Sequence, residues 1–515
     1  MRRALLLLCL AAPAHADDYH PPDFMTALPP LPARVDPGTA WRLDLAEALR
    51  IAMHQNLGIV VERDAVEIAH LGVAVAGGQF EPLLTGGYTH LSSATPPPVL
   101  QAGMAGSILT LTNDHWQLSL SDRLQTGLKL EADFISDRSK STAGTAVEPL
   151  LYNSQVVLSA TQPLLRGFST DLVIPRIDIL RAELASERER EQLAITAANV
   201  VEQTEDAYWD VVQALYSYDL QVRSQQRAVD QLELTKRQIA AGLMPPSDVV
   251  AAESTLAQRD LALVNGEQQV DAAWDRLRAM LNLPRDQWTR PILPVDMPTF
   301  AAGHPSAEQA LDIAIKNRPE LAQFEIDLKS QELSVRKADN DKLPEIDLSL
   351  SGGLLGQDST YGGSLVQVGS TQATTYTIGL NLIWTPLRRA TTAAAEIERA
   401  RQRIAIVNRD KAVQDTWAAV RDAVRNLASA ERGVYAAAKF RELATQNLDL
   451  EQRRFLASQS SQLFVAQRQE ELATAQFSEL SAVLAHKKAT AALLHATGQL
   501  LTERGVQLTL RAAPR

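Results

Sequence analysis

Cysteine is almost missing from this chain. Cys9 is the only one in 515 residues, and it falls in the apolar start of the sequence, so the rest has neither disulfide nor thiol chemistry available. Aromatic residues make up only 5 %. Alanine, leucine, glutamine, glutamate and arginine dominate the long middle stretches instead, which favours extended helices over several compact cores. Beyond the first residues there is no run of ~20 apolar residues, so no transmembrane helix is expected and any entry into a membrane must be made by strands. The nine histidines lack ligand spacing, and His-Glu-x-x-His, Cys-x-x-Cys, P-loop and Gly-x-Ser-x-Gly signatures are absent. Neither a metal, a cofactor nor enzymatic activity is expected. The formal charge of −11, with no basic stripe, speaks against nucleic acid as a partner.

What is present begins with a secretory signature. Arg2 and Arg3 precede an apolar run from residue 4 to 12, and Ala14-His15-Ala16 resembles a cleavage site, so residues 1–16 are expected to be a signal peptide and the remainder exported. Cys9 follows Leu8 without the small neighbour that lipidation favours. Residues 17–42 hold six prolines and read as an extended tail.

The chain then says the same thing twice. Residues 48–84 lie ungapped on 310–346: Ala48, Leu49, Ile51 and Ala52 meet Ala310, Leu311, Ile313 and Ala314, and Pro82 meets Pro344. This divides the sequence into a first repeat over 43–283, a Pro-rich linker over 284–305, a second repeat over 306–499 and a tail over 500–515. Each repeat opens with a helix (43 to about 77 in the first) and passes into alternating stretches such as Trp116, Leu118 and Leu120 against Gln117, Ser119 and Ser121. These are strands with one apolar and one polar face, long enough to cross a bilayer when tilted, or equally the edge of a soluble sandwich.

Long helices follow. One is expected from 175 to about 241, ~100 Å if straight, and another from about 388 to 456. Seams spaced by three and four residues appear at Leu193, Ala197, Val200, Thr204, Ala207 and Val211, and again at Val413, Trp417, Val420, Val424 and Leu427. The return helix of the first repeat carries Val249, Leu256, Leu263, Val270 and Leu277 at intervals of seven, which demands a coiled partner. Gly242 supplies a C-cap, Pro245 and Pro246 end the helix, and Ser247 or Asp248 caps the next, so the pair forms an antiparallel hairpin. The second hairpin turns near residues 457–461.

Four to six strands per chain are too few to close a barrel, for which ~8 is about the minimum. A membrane reading therefore requires several chains to share one barrel, with the hairpins bundled into a tube. At this point the sequence resembles the TolC-type outer-membrane efflux proteins. The resemblance rests on the doubled Ala-Leu-x-x-Ala opening with Asn317-Arg318-Pro319-Glu320-Leu321, the phrase Gln162-Pro163-Leu164-Leu165-Arg166-Gly167-Phe168, and the tip from Gly242 to Val249. It implies a mainly α fold with membrane β: long antiparallel helical hairpins forming a trimeric α-barrel, and short strands contributing to a shared transmembrane β-barrel in the outer membrane. It further implies a homotrimer that meets a periplasmic adaptor and an inner-membrane transporter, serving as a passive efflux duct. A type I protein secretion duct and a soluble periplasmic scaffold are the alternatives.

The same resemblance assigns site residues. Adaptor docking would fall on Gly242, Leu243 and Ser247 of the first tip and on Ser458 and Ser461 of the second, where Gly242 and Leu243 would otherwise be only a cap and its apolar contact. A pore constriction would fall on Asp449 and Glu451, otherwise ordinary charges on a solvated helix face. Pro163 and Pro386 are expected at strand-to-helix transitions. The strand region of the first repeat spans 81 positions from Pro82 to Pro163, against 42 from Pro344 to Pro386. The excess is enough for one additional hairpin, which leaves open whether a trimer holds the family's twelve strands or more.

Overall fold

The computed structural model describes residues 30–32, 35, 38–95, 109–141, 150–242, 245–457 and 459–508. The expected signal peptide, most of the Pro-rich tail, Leu243, Ser458 and the end of the C-terminal tail lie outside them. In chain order the elements are β1 (Trp41–Leu43), α1 (Leu45–Gln55), α2 (Leu57–Gly77), β2 (Leu83–Thr95), β3 (Leu109–Arg123), β4 (Lys129–Ser141), β5 (Leu151–Pro163), α3 (Ile177–Ala240) and α4 (Asp248–Leu281). There follow β6 (Ile292–Pro294), α5 (Ala307–Asn317), α6 (Pro319–Asn340), β7 (Glu345–Asp358), α7 (Tyr361–Ser370), β8 (Thr374–Ile383), α8 (Arg389–Leu456), α9 (Gln462–Ala496) and α10 (Leu500–Glu503). Two compact units result, a helical one from residues up to 67, 189–323 and 409 onward, and a sheet unit from 68–188 and 324–408. Each draws on both sequence repeats.

In the helical unit the seam of α3 is buried as its spacing predicts: Leu193, Ala197, Val200, Thr204, Ala207 and Val211 are all withdrawn from solvent. On α4 the seven-residue series ends in fully buried Val270 and Leu277. On α8, Val420, Val424 and Leu427 are buried, but Trp417 is exposed and lies against the Arg421 guanidinium at 5.1 Å, while Thr416 takes the inward place. A bulky indole one residue further round the helix serves as a surface cation–π partner.

Three expectations are corrected here. The helix expected over 43–77 is two helices, because Asn56 has extended backbone and uses its side chain twice, Oδ1 accepting from Gly58 N at 2.9 Å and Nδ2 donating to Met280 O at 3.0 Å. An asparagine that satisfies the start of a new helix competes successfully with continuation of the old one. The tail over 17–42 and the linker over 284–305 are not wholly irregular: β1 and β6 pair in parallel, Ile292 is fully buried, and Tyr208 donates its hydroxyl to Asp296 Oδ2 at 2.7 Å while Trp274 donates to Ile292 O at 2.8 Å. The tail over 500–515 begins as α10, with Leu500 buried in the same core.

The sheet unit holds six strands in the order β2-β3-β4-β5-β7-β8, every neighbouring pair antiparallel. The added hairpin that the longer first repeat predicts is present. Pro163 ends β5 and α3 begins at Ile177, so a turn separates the strand from the helix. The intervening turn is gathered by Asn340, whose Nδ2 donates to Leu165 O at 3.2 Å and to Phe168 O at 3.1 Å, and whose Oδ1 accepts from Gly167 N at 2.7 Å. Gly167 has φ +81°, a conformation that a Cβ would strain. Pro386 stands in the short passage from β8 to α8.

Candidate functional site

The first hairpin turn is built by backbone closure. Gly242 sits at φ +71° and donates to Ile239 O at 2.9 Å, with open space where a Cβ would project. Ser247 does not cap α4 through its side chain. Its backbone is already helical, Asp248 N donates to Pro245 O at 3.1 Å, and Asp248 places a carboxylate in the first turn, where the helix dipole favours it. Lys236 and Glu253 link the two arms at 3.7 Å.

At the second turn Ser461 has extended backbone but no capping bond from its side chain, and its carbonyl accepts from Phe464 N at 3.1 Å. Phe464, Leu463 and Leu456 are exposed around it. The two acids proposed for a constriction have different surroundings. Asp449 projects with 54 % of its side chain exposed and pairs with Arg453 at 2.7 Å one helical turn on. Glu451 keeps only 12 % exposed. It accepts from Ser460 Oγ, and Arg454 lies 3.6 Å away, so it also closes the turn.

Sequence reasoning missed the ion pairs that tie the hairpins of the helical unit together. Glu470 on α9 accepts from Arg227 of α3 at 2.8 Å and from Ser224 at 3.2 Å, with Arg259 of α4 at 3.4 Å. Burial works to raise this carboxyl, but the two guanidinium groups outweigh it and hold it below its ordinary range. Glu479, fully buried on α9, pairs with Arg441 of α8 at 2.5 Å. Asp210 of α3 pairs with Lys488 of α9 at 2.5 Å and with Arg276 of α4 at 3.3 Å. The partners in most of these contacts are more than 200 residues apart, and no local pattern announces them.

In the sheet unit the register sorts the two faces. One row crosses all six strands as Leu84, Leu120, Ala132, Leu158, Gly352 and Tyr376, and the next row crosses as Thr85, Ser119, Asp133, Val157, Gly353 and Thr375. Side chains alternate between faces along a strand, so the first row marks a continuous apolar face and the second a largely polar one. The apolar face is exposed, with Leu158 at 62 % and Tyr376 at 83 %. Toward one end it carries Tyr88 against Trp116 at 5.5 Å, and beyond them Asp114 with His90 at 2.6 Å and Arg138 at 3.0 Å. Helix α7 lies on the same face, its Ser364 hydroxyl 2.9 Å from that of Ser154, and only glycine fits at position 356, where a Cβ would meet the Ser364 carbonyl at 2.0 Å. The polar face holds His115 with Asp137 at 2.7 Å. Among the described residues no helix is long and apolar enough to cross a membrane, and no group of three or more His, Cys, Asp or Glu side chains is gathered as for a metal.

An amphipathic, all-antiparallel sheet joined to long coiled helical hairpins defines the class of outer-membrane channel subunits that build a β-barrel and an α-barrel together. The chain belongs to the outer membrane efflux protein family, whose model matches residues 127–283 and 310–499. The match starts immediately before β4, so β2 and β3 lie outside it. Among solved structures, the fold is similar to the Campylobacter jejuni CmeC outer membrane channel (TM-score 0.63, 11 % identity, 88 % of this chain and 86 % of that one). It is also similar to VceC from Vibrio cholerae (0.62, 13 %, 88 % and 96 %) and to the open state of the Neisseria gonorrhoeae MtrE outer membrane channel (0.62, 16 %, 90 % and 91 %). Comparison with curated proteins finds no match. The protein is an efflux channel subunit, and the family is one of channels, not of enzymes.

Proposed function

We propose that three copies of this chain form a passive exit duct in the outer membrane, with helical hairpins extending through the periplasm to an adaptor and an inner-membrane transporter. The observation that carries this reading is the six-stranded sheet, whose continuous apolar face has no covering layer among the described residues apart from α7. In water such a face is a liability; in lipid it is the required exterior of a barrel wall.

Docking falls to the two turns. Gly242 and Ser247 belong to the first, near exposed Val250, and Ser461 to the second, near exposed Leu456, Leu463 and Phe464; Leu243 and Ser458 complete the assignment by their position in the sequence. Asp449, the more exposed of the two acids, is the one that would approach a threefold axis, where three like charges would repel one another and attract cations. Glu451, held by Ser460, would set the position of the turn that carries it. Gating then follows from a shift of the second hairpin on adaptor contact.

Membrane fractionation, detergent extraction and planar-bilayer recording test the reading together. The expected result is a detergent-requiring trimer in outer membranes that conducts ions, with loss of the gene increasing retention of a fluorescent efflux dye. A water-soluble monomer in the periplasmic extract overturns it.

A further inference from the structure

The sheet ends in two strands of unusual character. β2 spans 13 residues and β8 spans 10, and each is exposed along almost its whole length. β8 contains no charged residue and β2 only His90, with no proline in either. Edge strands of soluble sheets are normally blunted by lysine, proline, bulges or short length, because an open ladder recruits another strand. These two edges carry none of those guards. The inner strands β3 and β4 do carry charges, among them Arg123, Glu131, Asp133 and Lys140.

The direction of the strands matters as much as their composition. Five successive antiparallel pairings separate β2 from β8, so the two edges run in opposite senses. Placed side by side between copies, they continue the antiparallel alternation without a break. The faces continue too, since the apolar row ends in Leu84 on one edge and Tyr376 on the other.

Building on the shared-barrel reading above, we propose that β2 of one copy pairs with β8 of the next, so that every copy donates all six strands and a trimeric barrel has eighteen, not the twelve of a four-stranded protomer. The β2–β3 hairpin is thus part of the wall. Barrel diameter grows roughly linearly with strand number, so the lumen at the outer membrane is about one and a half times as wide as that of a twelve-stranded ring. The partner is a second copy of this chain, and the consequence is an exit that admits bulkier solutes than a twelve-stranded barrel does.

Imaging of the detergent-purified oligomer at a resolution that separates strands decides the matter. Eighteen strands in one closed ring is the expected result. Twelve, with β2 and β3 folded off the ring, overturns this inference and leaves the duct standing; the absence of any shared ring overturns the duct itself. A functional arm uses polyethylene glycols of graded size, added from the side of the loops between β2 and β3 and between β4 and β5 during bilayer recording. The radius at which they cease to enter is expected to be about one and a half times that of a variant lacking residues 83–125. Equal cut-offs for the two proteins would show that the hairpin does not widen the mouth, and if the shortened variant fails to assemble, the strand count of the intact chain still gives the answer.

Discussion

The guanidinium of Arg504 holds the carboxylate of Glu205 from two sides, Nη2 to Oε1 at 2.7 Å and Nε to Oε2 at 2.9 Å, across 299 residues of sequence. Glu205 is 1 % exposed, so the segment after α10 is stitched to the middle of α3 by a charge that cannot reach water on its own. Arg504→Ala is expected to destabilise the helical unit by about 3 kcal/mol, because it leaves that carboxylate buried and unpaired. Arg504→Lys, which keeps the charge but not the planar fork, should fall between. The thermal unfolding midpoint of the purified protein reads both, and an unchanged midpoint for Arg504→Ala would refute the assignment.

Asp449 and Arg453 allow the constriction to be tested in both directions. Asp449→Ala should raise single-channel conductance or weaken block by divalent cations, whereas Arg453→Ala, which frees the carboxylate of its 2.7 Å partner, should strengthen the block. Wild-type conductance in Asp449→Ala together with identical block in all three proteins rules out a pore position for Asp449.

Gly242 has room for a side chain but not the backbone for one. A β-branched residue at φ +71° costs roughly 1 kcal/mol or more. On the proposed docking, Gly242→Val is accordingly expected to weaken binding of an adaptor about fivefold, the equivalent of ~1 kcal/mol, while trimer assembly and conductance persist. Surface plasmon resonance against immobilised adaptor measures this; equal affinities would remove the first turn from the docking surface.

His486 gives the helical unit a pH dependence. It is buried, neither ring nitrogen has a hydrogen-bond partner among the described residues, and Phe300 packs edge-on at 4.8 Å. Burial lowers its pKa below the ordinary 6.5; the Glu431 carboxylate works the other way, and the Lys487 ammonium adds to the lowering. The folded state therefore binds the proton less readily than the unfolded state. Stability is complete above about pH 6.5, declines as pH falls from there toward the depressed folded value, and levels off below it. His486→Leu should flatten that decline in thermal melts between about pH 5 and 7. A wild-type slope in the variant would place the titration elsewhere.

Much of the architecture is written in the order of the residues. The duplicated segment, the seven-residue series on α4, the inward series on α3 and the alternation around Trp116 are local periodicities, and each fixes an element and its apolar face through covalent geometry alone. The 39-residue excess between Pro82 and Pro163 announces a hairpin for the same reason. Proline and asparagine are less transparent. Pro163 marks the end of a strand, but nothing local shows that the backbone after it is held by Asn340 from the other repeat, and Asn56 breaks a helical pattern because a carbonyl of α4 and the amide of Gly58 meet its side chain.

What tertiary structure alone decides is pairing at a distance. Sequence pattern states that a strand has an apolar face, but only the register shows that six such faces align into one surface with two open edges. It shows a row of charges on α3, α8 and α9, but not that Glu470 belongs to Arg227 and Glu479 to Arg441, since a charge is indifferent to sequence distance and selects whatever the packed helices bring within reach. Period and turn chemistry act along the chain and are legible in it; register, ion pairing and the choice between Asp449 and Glu451 as the freer acid arise across the chain and appear only once it is folded.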